Sequence, residues 1–398
     1  MTTRTLLLFP SCDAGAPGPG LLRTGKKFLD GAAEYAHRWP GNMDILIGVR
    51  AEGGNDPDAR TVAVRELPFG IVPFDGSESC LLQALRRASV VSAALLPQTA
   101  RLSEVCKSLS VPLVYITEQS LLTRKQMIRA ETRNPLLRAR RIVWNSRLEK
   151  RYRRALKSAR GVQCNGTPTY QAYRELNENP PLFFDSRVSS SMLVSERTLD
   201  HRLDGMLKGG PLRLVFSGRL TAIKGVDHLP AVARELRRLG VVFTMDVYGT
   251  GDLASALEAE IAASNLDDIL RLRGFVDFES ELVSRLSEGA DLFVCCHRQG
   301  DPSCTYLETL SCGVPIVGYD NEALRGVAEL SAACWTVPLD EPARIAEFIA
   351  GLARQRERLA QASRAARRFG SLHPFEQTFR NRTEHLLECS GSASAGRA

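Results

Sequence analysis

The sequence lacks any run of about 18 consecutive apolar residues, the length that a helix needs to cross a bilayer. Residues 2–10 carry one arginine, a short apolar run and no small-residue cleavage site, so they predict a first strand and not a signal peptide. The apolar fraction of 44% and the charged fraction of 24% are typical of a soluble globular protein. A chain of 398 residues is too long for one ordinary core, so two domains are expected.

Metal and redox motifs are also missing. The ten cysteines form no Cys-x-x-Cys pair and match no histidine at zinc-ligand spacing, which argues against a zinc site or a redox motif. No Asp-x-Asp motif stands at the end of a predicted strand, and the complete Gly-x-Gly-x-x-Gly fingerprint of a dinucleotide site is absent. We therefore expect a reduced, cytoplasmic protein that needs no metal and no cofactor.

What the second half does contain is a regular alternation of strand-like and helix-like segments, as in parallel α/β domains. Apolar residues three and four apart predict the helices between the strands. The predicted strands cover residues 212–217, 241–248, 269–275, 291–296 and 314–319. A short helix is predicted over 306–312, with Gly313 as its C-cap. Together these elements predict one doubly wound domain at 208–370.

The first half repeats the alternation less regularly and predicts an N-terminal α/β domain over residues 1–200. Its strands are predicted at 4–9, 43–49, 61–67, 90–96, 111–117 and 161–165. The polar stretch 185–210 is the expected linker between the domains, and residues 375–389 predict one last helix.

Ligands bind open parallel sheets in the crevice at the carboxyl ends of the strands, so the loops after the predicted strands are the candidate sites. The loop 218–225 places Arg219 and Lys224 five residues apart, just before a predicted helix. Two cations and a helix dipole suit a diphosphate, and a solvated basic turn is the alternative. The next turn contains Gly249 and Gly251, which would let a ligand approach the backbone closely, although a lone Gly-x-Gly is a weak signal.

A third element, residues 300–315, is the most informative. Its helix is predicted to begin near Thr305 or Tyr306, so that unpaired amides face the crevice and can hold a phosphate. Glu308 falls in the first turn, where a carboxylate suits the dipole and could bond a pair of sugar hydroxyls. The alternative is that Glu308 is only a favourable first-turn acid.

Together the three elements resemble the nucleotide-sugar domain of the family 4 retaining glycosyltransferases, which have the GT-B fold. The resemblance covers about residues 208–390. The family's Gly-Arg-x-x-x-x-Lys-Gly loop, its Gly-x-Gly turn and the end of its Glu-x7-Glu element match at Gly218, Arg219, Lys224, Gly225, Gly249, Gly251, Glu308, Gly313 and Pro315. The resemblance implies two Rossmann-like, doubly wound parallel-sheet domains that face a central cleft. It also implies a final helix, 372–390, that crosses back to complete the first domain.

The resemblance further implies roles for these residues. Arg219 and Lys224 would neutralise the leaving diphosphate, and Glu308 would bind the ribose hydroxyls. The donor would also contact the loop around Asp301 and Ser303 and the amides of Thr305 and Tyr306. One position departs from the family, because the first carboxylate, which meets the transferred sugar, falls at Gly300. Asp301 is the candidate substitute.

The N-terminal domain matches the family only in outline. The loop containing Gly18 and Gly20 takes the place of a glycine-rich loop near the donor phosphates and the acceptor, with a flexible surface turn as the alternative. Where the family often has a histidine, this chain has Glu118, which could bond the sugar or the acceptor or could be a simple strand-end acid. Of the six histidines, only His297 falls at a crevice loop.

Residues 124–160 hold fourteen Lys and Arg and two Glu, a net charge of +12 against +7 for the whole chain. Asn134-Pro135 predicts a helix start, after which Leu136, Leu137, Arg141, Trp144 and Leu148 could share one face. An ordinary surface helix is one interpretation. The other is a surface for anionic membranes or for a phosphate-bearing lipid acceptor. No nucleic-acid module is recognisable, so nucleic acid is not an expected partner.

The resemblance therefore predicts a retaining glycosyltransferase that transfers a sugar from a UDP- or GDP-sugar to a sugar or lipid-linked acceptor. The expected context is bacterial surface polysaccharide or glycolipid synthesis, in the cytoplasm or at the inner face of the cell membrane. A GT-B nucleotide-sugar epimerase and a catalytically dead nucleotide-sugar-binding protein are the alternatives, and a nicotinamide-dependent oxidoreductase is the weakest.

Overall fold

The computed structural model describes residues 4–50, 58–178 and 180–391. Two α/β domains follow one another along the chain. The N-terminal strands are β1 (Thr5–Phe9), β2 (Ala14–Gly15), β3 (Leu21–Gly25), β4 (Asn42–Arg50), β5 (Ala59–Ala63), β6 (Gly70–Phe74), β7 (Val90–Ala94), β8 (Leu113–Thr117), β9 (Gly161–Asn165) and β10 (Leu182–Phe183). The helices between them are α1 (Lys26–Arg38), α2 (Glu78–Arg87), α3 (Leu102–Ser108), α4 (Leu121–Glu131), α5 (Pro135–Ser158) and α6 (Gly166–Tyr173).

The N-terminal sheet has the order β10-β9-β8-β7-β1-β4-β2-β3-β5, and β6 also pairs with β4. Most pairs are parallel, but β3 runs antiparallel to β2 and to β5. The N-terminal sheet is therefore parallel, as predicted, except at this edge. The tight turn at 16–20 folds the chain back on itself, and a two-residue strand such as β2 is too short to leave an apolar pattern in the sequence.

The C-terminal sheet has six strands, all parallel, in the order β13-β12-β11-β14-β15-β16. They are β11 (Leu212–Ser217), β12 (Phe243–Tyr248), β13 (Leu270–Gly274), β14 (Leu292–Cys295), β15 (Ile316–Tyr319) and β16 (Cys334–Val337). Their helices are α8 (Leu229–Arg238), α9 (Ala254–Ala263), α10 (Val283–Gly289), α11 (Cys304–Ser311), α12 (Glu322–Ser331), α13 (Pro342–Arg354) and α14 (Arg356–Ser371). This is the predicted doubly wound arrangement, with β16 added at one edge.

Two helices join the domains. The predicted linker contains α7 (Glu196–Leu207), capped by Ser195 and packed on the C-terminal core through Leu199, Leu203 and Met206. The last helix, α15 (Phe375–Cys389), packs on α1 and on strands of the N-terminal sheet. Helix α15 therefore belongs to the N-terminal domain, although it follows the C-terminal domain in the sequence.

Within the described ranges, no helix is long and apolar enough to cross a membrane. Every cysteine is free, and most are buried.

Candidate active site

The loops that follow β11 and β12 pack directly on one another. Gly249 has a φ of 129°, and a methyl group at that position would lie 1.9 Å from the carbonyl oxygen of Gly218. A methyl group on Gly251 would lie 2.5 Å from the carbonyl oxygen of Leu220. Packing between the two loops therefore suffices to require both glycines, whether or not a ligand also approaches them.

A cavity of about 200 Å³ opens beside these loops. We call it the C-terminal cavity. It is lined by Asp58, Arg187, Ser217, Gly218, Arg219, Tyr248, Gly249, Thr250, Phe275, Val276, Phe278 and Leu282. Arg219 is exposed and makes no ion pair with a described residue, so its guanidinium is available to an anion in this cavity.

Lys224 occupies a different environment, since it does not line the C-terminal cavity and is only 7% exposed. Its Nζ donates a hydrogen bond of 3.2 Å to Ser303 Oγ and lies 3.7 Å from the nearer Asp301 carboxylate oxygen. The loop after β11 and the loop before α11 thus meet at this ammonium, at the carboxyl edge of the sheet. The structure brings Lys224, Asp301 and Ser303 together, and their contact with a donor stays a prediction.

Helix α11 begins at Cys304, slightly before the predicted start. The amide of Tyr306 donates to the carbonyl oxygen of Ser303, so the amides of Cys304 and Thr305 are the better placed to meet a ligand. The Tyr306 side chain points into the core, where its hydroxyl lies 3.3 Å from Nδ1 of His297. Burial lowers the pKa of His297 well below its ordinary value, so this ring is neutral.

Glu308 is 6% exposed and already has a charged partner. Its Oε1 accepts a hydrogen bond of 3.0 Å from Nε of Arg187, a residue of the predicted linker. The guanidinium of Arg187 also lies 4.1 Å from the ring centre of Phe278 and pairs with Asp58. Because Arg187 lines the C-terminal cavity, it links Glu308 to that space. Nothing in the local sequence marks Arg187, since its position depends on contacts with residues far along the chain.

Gly300, where the family's first carboxylate is missing, is held by helix α4 of the other domain. Its amide donates to Oε1 of Gln126, and its carbonyl accepts from Thr123 Oγ1. A methyl group at position 300 would lie 2.9 Å from Cβ of Glu322. The Glu322 carboxylate accepts a hydrogen bond of 2.8 Å from Ser120 Oγ, also across the domain boundary. The space beside Gly300 therefore holds Glu322, while Asp301 is turned toward Lys224.

The N-terminal domain has a cavity of about 460 Å³, here called the N-terminal cavity. Glu118 lines it at the end of β8. The surrounding protein excludes much of the water from this carboxyl and raises its pKa, and the negative charge of Asp185 raises it further. A narrow gap lined by Asn165, Asp185 and Ser303 lies between this cavity and the start of α11. Glu118 lines the cavity, and Ser303, the partner of Lys224, lines the gap. The two spaces share Asn165 and Asp185, so they adjoin between the domains.

Gly18 and Gly20 lie in the β2–β3 turn, and neither lines the N-terminal or the C-terminal cavity. The carbonyl of Gly20 accepts from the amide of Val64, which fixes the hairpin against the following segment. Their role in donor binding stays a prediction.

The basic stretch 124–160 covers most of α4 and all of α5. Asn134 caps α5 by accepting from the amides of Leu136 and Leu137. Leu148 is buried, whereas Leu136 and Trp144 are 82% and 53% exposed. These residues therefore do not share one packed face, and the first ten residues of α5 include no buried side chain. Among the described residues, no group of three or more His, Cys, Asp or Glu is placed to hold a metal ion.

Two α/β domains, with cavities on either side of their boundary and a C-terminal helix that returns to the first domain, define a protein with the GT-B fold. Residues 211–355, most of the C-terminal domain, match the family model described as glycosyl transferases group 1. The predicted fold class is confirmed, and the match supports the predicted likeness to glycosyl transferases group 1, while family 4 and the retaining mechanism stay predictions.

This chain is also similar to individual glycosyltransferases. Amylovoran biosynthesis glycosyltransferase AmsK of Erwinia amylovora is 27% identical over 145 residues, 35% of each chain. The chain thus spans about a third of the length of this relative. Anabaena HepE, solved in complex with UDP, is 16% identical with a TM-score of 0.65 over 97% of this chain and 99% of its own. WaaG, a glycosyltransferase involved in lipopolysaccharide biosynthesis, is 12% identical with a TM-score of 0.57 over 96% of this chain and 99% of its own. At these identities the solved structures establish the fold.

Proposed function

We propose that this protein is a glycosyltransferase that moves a sugar from a nucleotide diphosphate to an acceptor bound in the N-terminal cavity. The observation that carries the proposal is the cluster at the start of α11, where Lys224 meets Ser303 beside the inter-domain gap. A buried ammonium and the amino end of a helix stabilise the negative charge that develops on a leaving diphosphate. The acceptor hydroxyl would approach from the side of Glu118.

The donor would lie along the carboxyl edge of the C-terminal sheet. Its nucleoside would occupy the C-terminal cavity, where Arg219 and Arg187 supply positive charge and Phe278 an aromatic ring. One carboxylate oxygen of Glu308 is bound to Arg187, which leaves the other for a ribose hydroxyl. HepE is described in complex with UDP-glucose, which favours a UDP-sugar as the first donor to test.

We propose retention of the anomeric configuration without a metal. In such a reaction the acceptor attacks the face that the phosphate leaves, and the phosphate takes the acceptor proton, so no protein nucleophile is required. Arg219 and Lys224 already supply two positive charges to the diphosphate.

The names of AmsK and WaaG favour a role in bacterial surface polysaccharide or glycolipid synthesis. A lipid-linked acceptor would place the enzyme at the inner face of the membrane. The first turns of α5 suit that contact, because exposed Leu136 and Trp144 stand among arginines there.

Incubation with UDP-glucose and GDP-mannose tests the proposal. Release of free nucleotide with acceptor, in the presence of EDTA, and a product of unchanged anomeric configuration by NMR are the expected results. Epimer formation would indicate a nucleotide-sugar epimerase, and nucleotide binding without turnover would indicate a binding protein. An inverted product would contradict the retaining mechanism, and activity that is lost with EDTA and restored by Mg²⁺ would contradict the metal-free one.

A further inference from the structure

The N-terminal cavity, which Glu118 also lines, contains a buried arginine. Arg382, on the returning helix α15, lines the cavity and is 7% exposed. Its guanidinium lies among three aromatic rings, 4.1 Å from the centre of Phe183, 5.1 Å from Phe379 and 5.2 Å from Tyr35. Arginine stacks well on such rings, which hold the guanidinium plane in place.

Arg382 has no counter-ion among the described residues. Its one side-chain hydrogen bond runs from Nε to Oε1 of the neutral Gln163, at 3.1 Å. A buried cation without an ion-pair partner is unfavourable, because the aromatic rings and the charge of Glu118, which forms no ion pair with it, replace only part of the lost hydration. Such a residue at the wall of a cavity points to an anionic ligand.

The other charged side chains around the cavity form no ion pair with Arg382. Lys27 and Asp185 form an ion pair with each other. Asp13 is paired with Arg50. Glu118 faces the cavity, and its carboxyl has a raised pKa as described above. Arg23 is an exposed cation at the rim. Among the described residues that line the cavity, two cations, Arg23 and Arg382, therefore lack an acidic ion-pair partner. One carboxyl, that of Glu118, lacks a basic one.

A second group in the cavity wall also lacks a partner. The hydroxyl of Tyr35 is buried and makes no hydrogen bond within the described structure, although Tyr35 itself is only 4% exposed and lines the cavity. Buried hydroxyls are normally satisfied. Burial raises the pKa of Tyr35, so this hydroxyl stays protonated and can donate. A hydroxyl without an acceptor and a guanidinium without a counter-ion thus lie side by side.

We propose that Arg382 and Tyr35 form a subsite for an oxyanion carried by the acceptor, either the carboxylate of a uronic acid or the phosphate of a phosphorylated sugar. The proposal rests on the proposed function, since it names the chemical class of the molecule that would receive the sugar. Arg382 would bind the oxyanion through its guanidinium, and Tyr35 would donate one further hydrogen bond. The aromatic rings would pack against the sugar face.

Ligand-observed NMR and calorimetry without any donor test the site directly. The probes are methyl β-glucuronide, methyl β-glucoside 6-phosphate and the neutral methyl β-glucoside, which differ at one carbon. We expect at least one anionic probe to bind ten-fold or more tightly than the neutral one, and the tighter of the two identifies the carboxylate or the phosphate. Equal affinity for all three, or no binding of either anion, would overturn the proposal.

Variants separate ligand binding from folding. Tyr35→Phe removes only the hydroxyl, so it should keep the unfolding temperature and weaken the preferred anion several-fold. Arg382→Gln should abolish the preference for an anion, and if it fails to fold, Arg382→Lys keeps the charge but loses the planar fork. Arg380→Gln, an exposed position on the same helix, is the matched control and should bind like the parent. Folded Tyr35→Phe and Arg382→Lys proteins that both bind like the parent would count against the subsite.

The outcome is distinguishable from failure of the proposed function. UDP binding in a separate thermal-shift assay reports on the C-terminal domain alone. If nucleotide binds and the probes show no charge preference, the subsite is wrong while the transferase proposal stands. If no nucleotide binds but anionic probes still require Arg382, the subsite stands and the transferase proposal fails.

Discussion

Lys224 is the most deeply buried cation of the loop that follows β11. It lies beside Ser303 and Asp301, whereas Arg219 of the same loop is exposed. Lys224→Ala should lower kcat by about 100-fold or more, the usual loss when one group that stabilises developing negative charge is removed. KM for the donor should change less. Steady-state kinetics with a UDP-sugar measure both.

The control for this prediction is Lys208→Ala, an exposed lysine at the end of α7. It should leave kcat and the unfolding temperature unchanged. If Lys224→Ala folds and turns over like the parent, Lys224 does not act on the leaving group.

Glu118 predicts a pH dependence for the candidate active site. Its carboxyl pKa is raised, first by exclusion of water and then by Asp185. As pH falls through that raised pKa, the carboxylate becomes protonated, loses its charge and accepts a weaker hydrogen bond from the acceptor hydroxyl. We expect kcat/KM for the acceptor to fall on this acidic limb, and Glu118→Gln to remove the limb while lowering the plateau. A pH–rate profile of both proteins, with exposed Glu104→Gln as the control, measures this.

The same raised pKa has a consequence for stability. A carboxyl whose pKa is higher in the folded state favours folding at low pH and loses that contribution as pH rises through the folded value. Glu118→Gln should therefore unfold at a higher temperature than the parent at pH 8, with the difference vanishing at acidic pH. The opposite order at pH 8 would show that the cavity does not disfavour the ionised carboxyl.

At the scale of the element, α5 exposes large apolar side chains beside arginines. Its last half packs through Leu148 and Tyr152, while its first half exposes Leu136 and Trp144 among arginines. We predict sedimentation with anionic but not neutral liposomes, with a blue shift of Trp144 emission. Each basic residue near an anionic surface contributes about 1 kcal/mol.

Replacing Arg138, Arg140 and Arg147 with serine should therefore weaken binding by roughly 100-fold. A Lys208→Ser, Arg368→Ser and Arg380→Ser triple variant, with three exposed positions outside α5, controls for net charge. Equal pelleting with both lipids, or no effect of the α5 changes, would leave α5 as a solvated surface helix.

At the scale of the whole molecule, the domains meet at Gly300. The chain has no room for a side chain there, because Glu322 lies 2.9 Å from where a Cβ would be and Gln126 binds the amide. Gly300→Ala should push α12 and α4 apart, at a cost of about 1–3 kcal/mol typical of overpacking. We expect a larger radius of gyration by small-angle scattering and a lower kcat/KM for the donor.

Gly289→Ala is the matched control, since no atom lies within 4 Å of a methyl group at that helical position. It should change neither quantity. A Gly300→Ala protein with unaltered scattering and kinetics would mean that the contact between the domains tolerates a side chain here.

The sequence by itself determined the features that are local in the chain. The alternation of apolar runs places β11–β15, because each strand that is buried on both faces must be apolar along its length. The glycines of the β11 and β12 loops and the cap of α5 are likewise visible in the sequence, because each acts within a few residues. The two-residue strands β2 and β10 left no such pattern.

Only the tertiary structure decided which distant side chains meet. Arg187 reaches Glu308 across 121 positions of the chain, and Ser120 reaches Glu322 across 202. Arg382 lines a cavity of the first domain because α15 returns to it, so a residue near the end of the chain is placed beside Tyr35. Sequence periodicity fixes which face of an element is apolar, but the partner that covers that face is chosen by packing, and packing joins residues without regard to their separation in the chain.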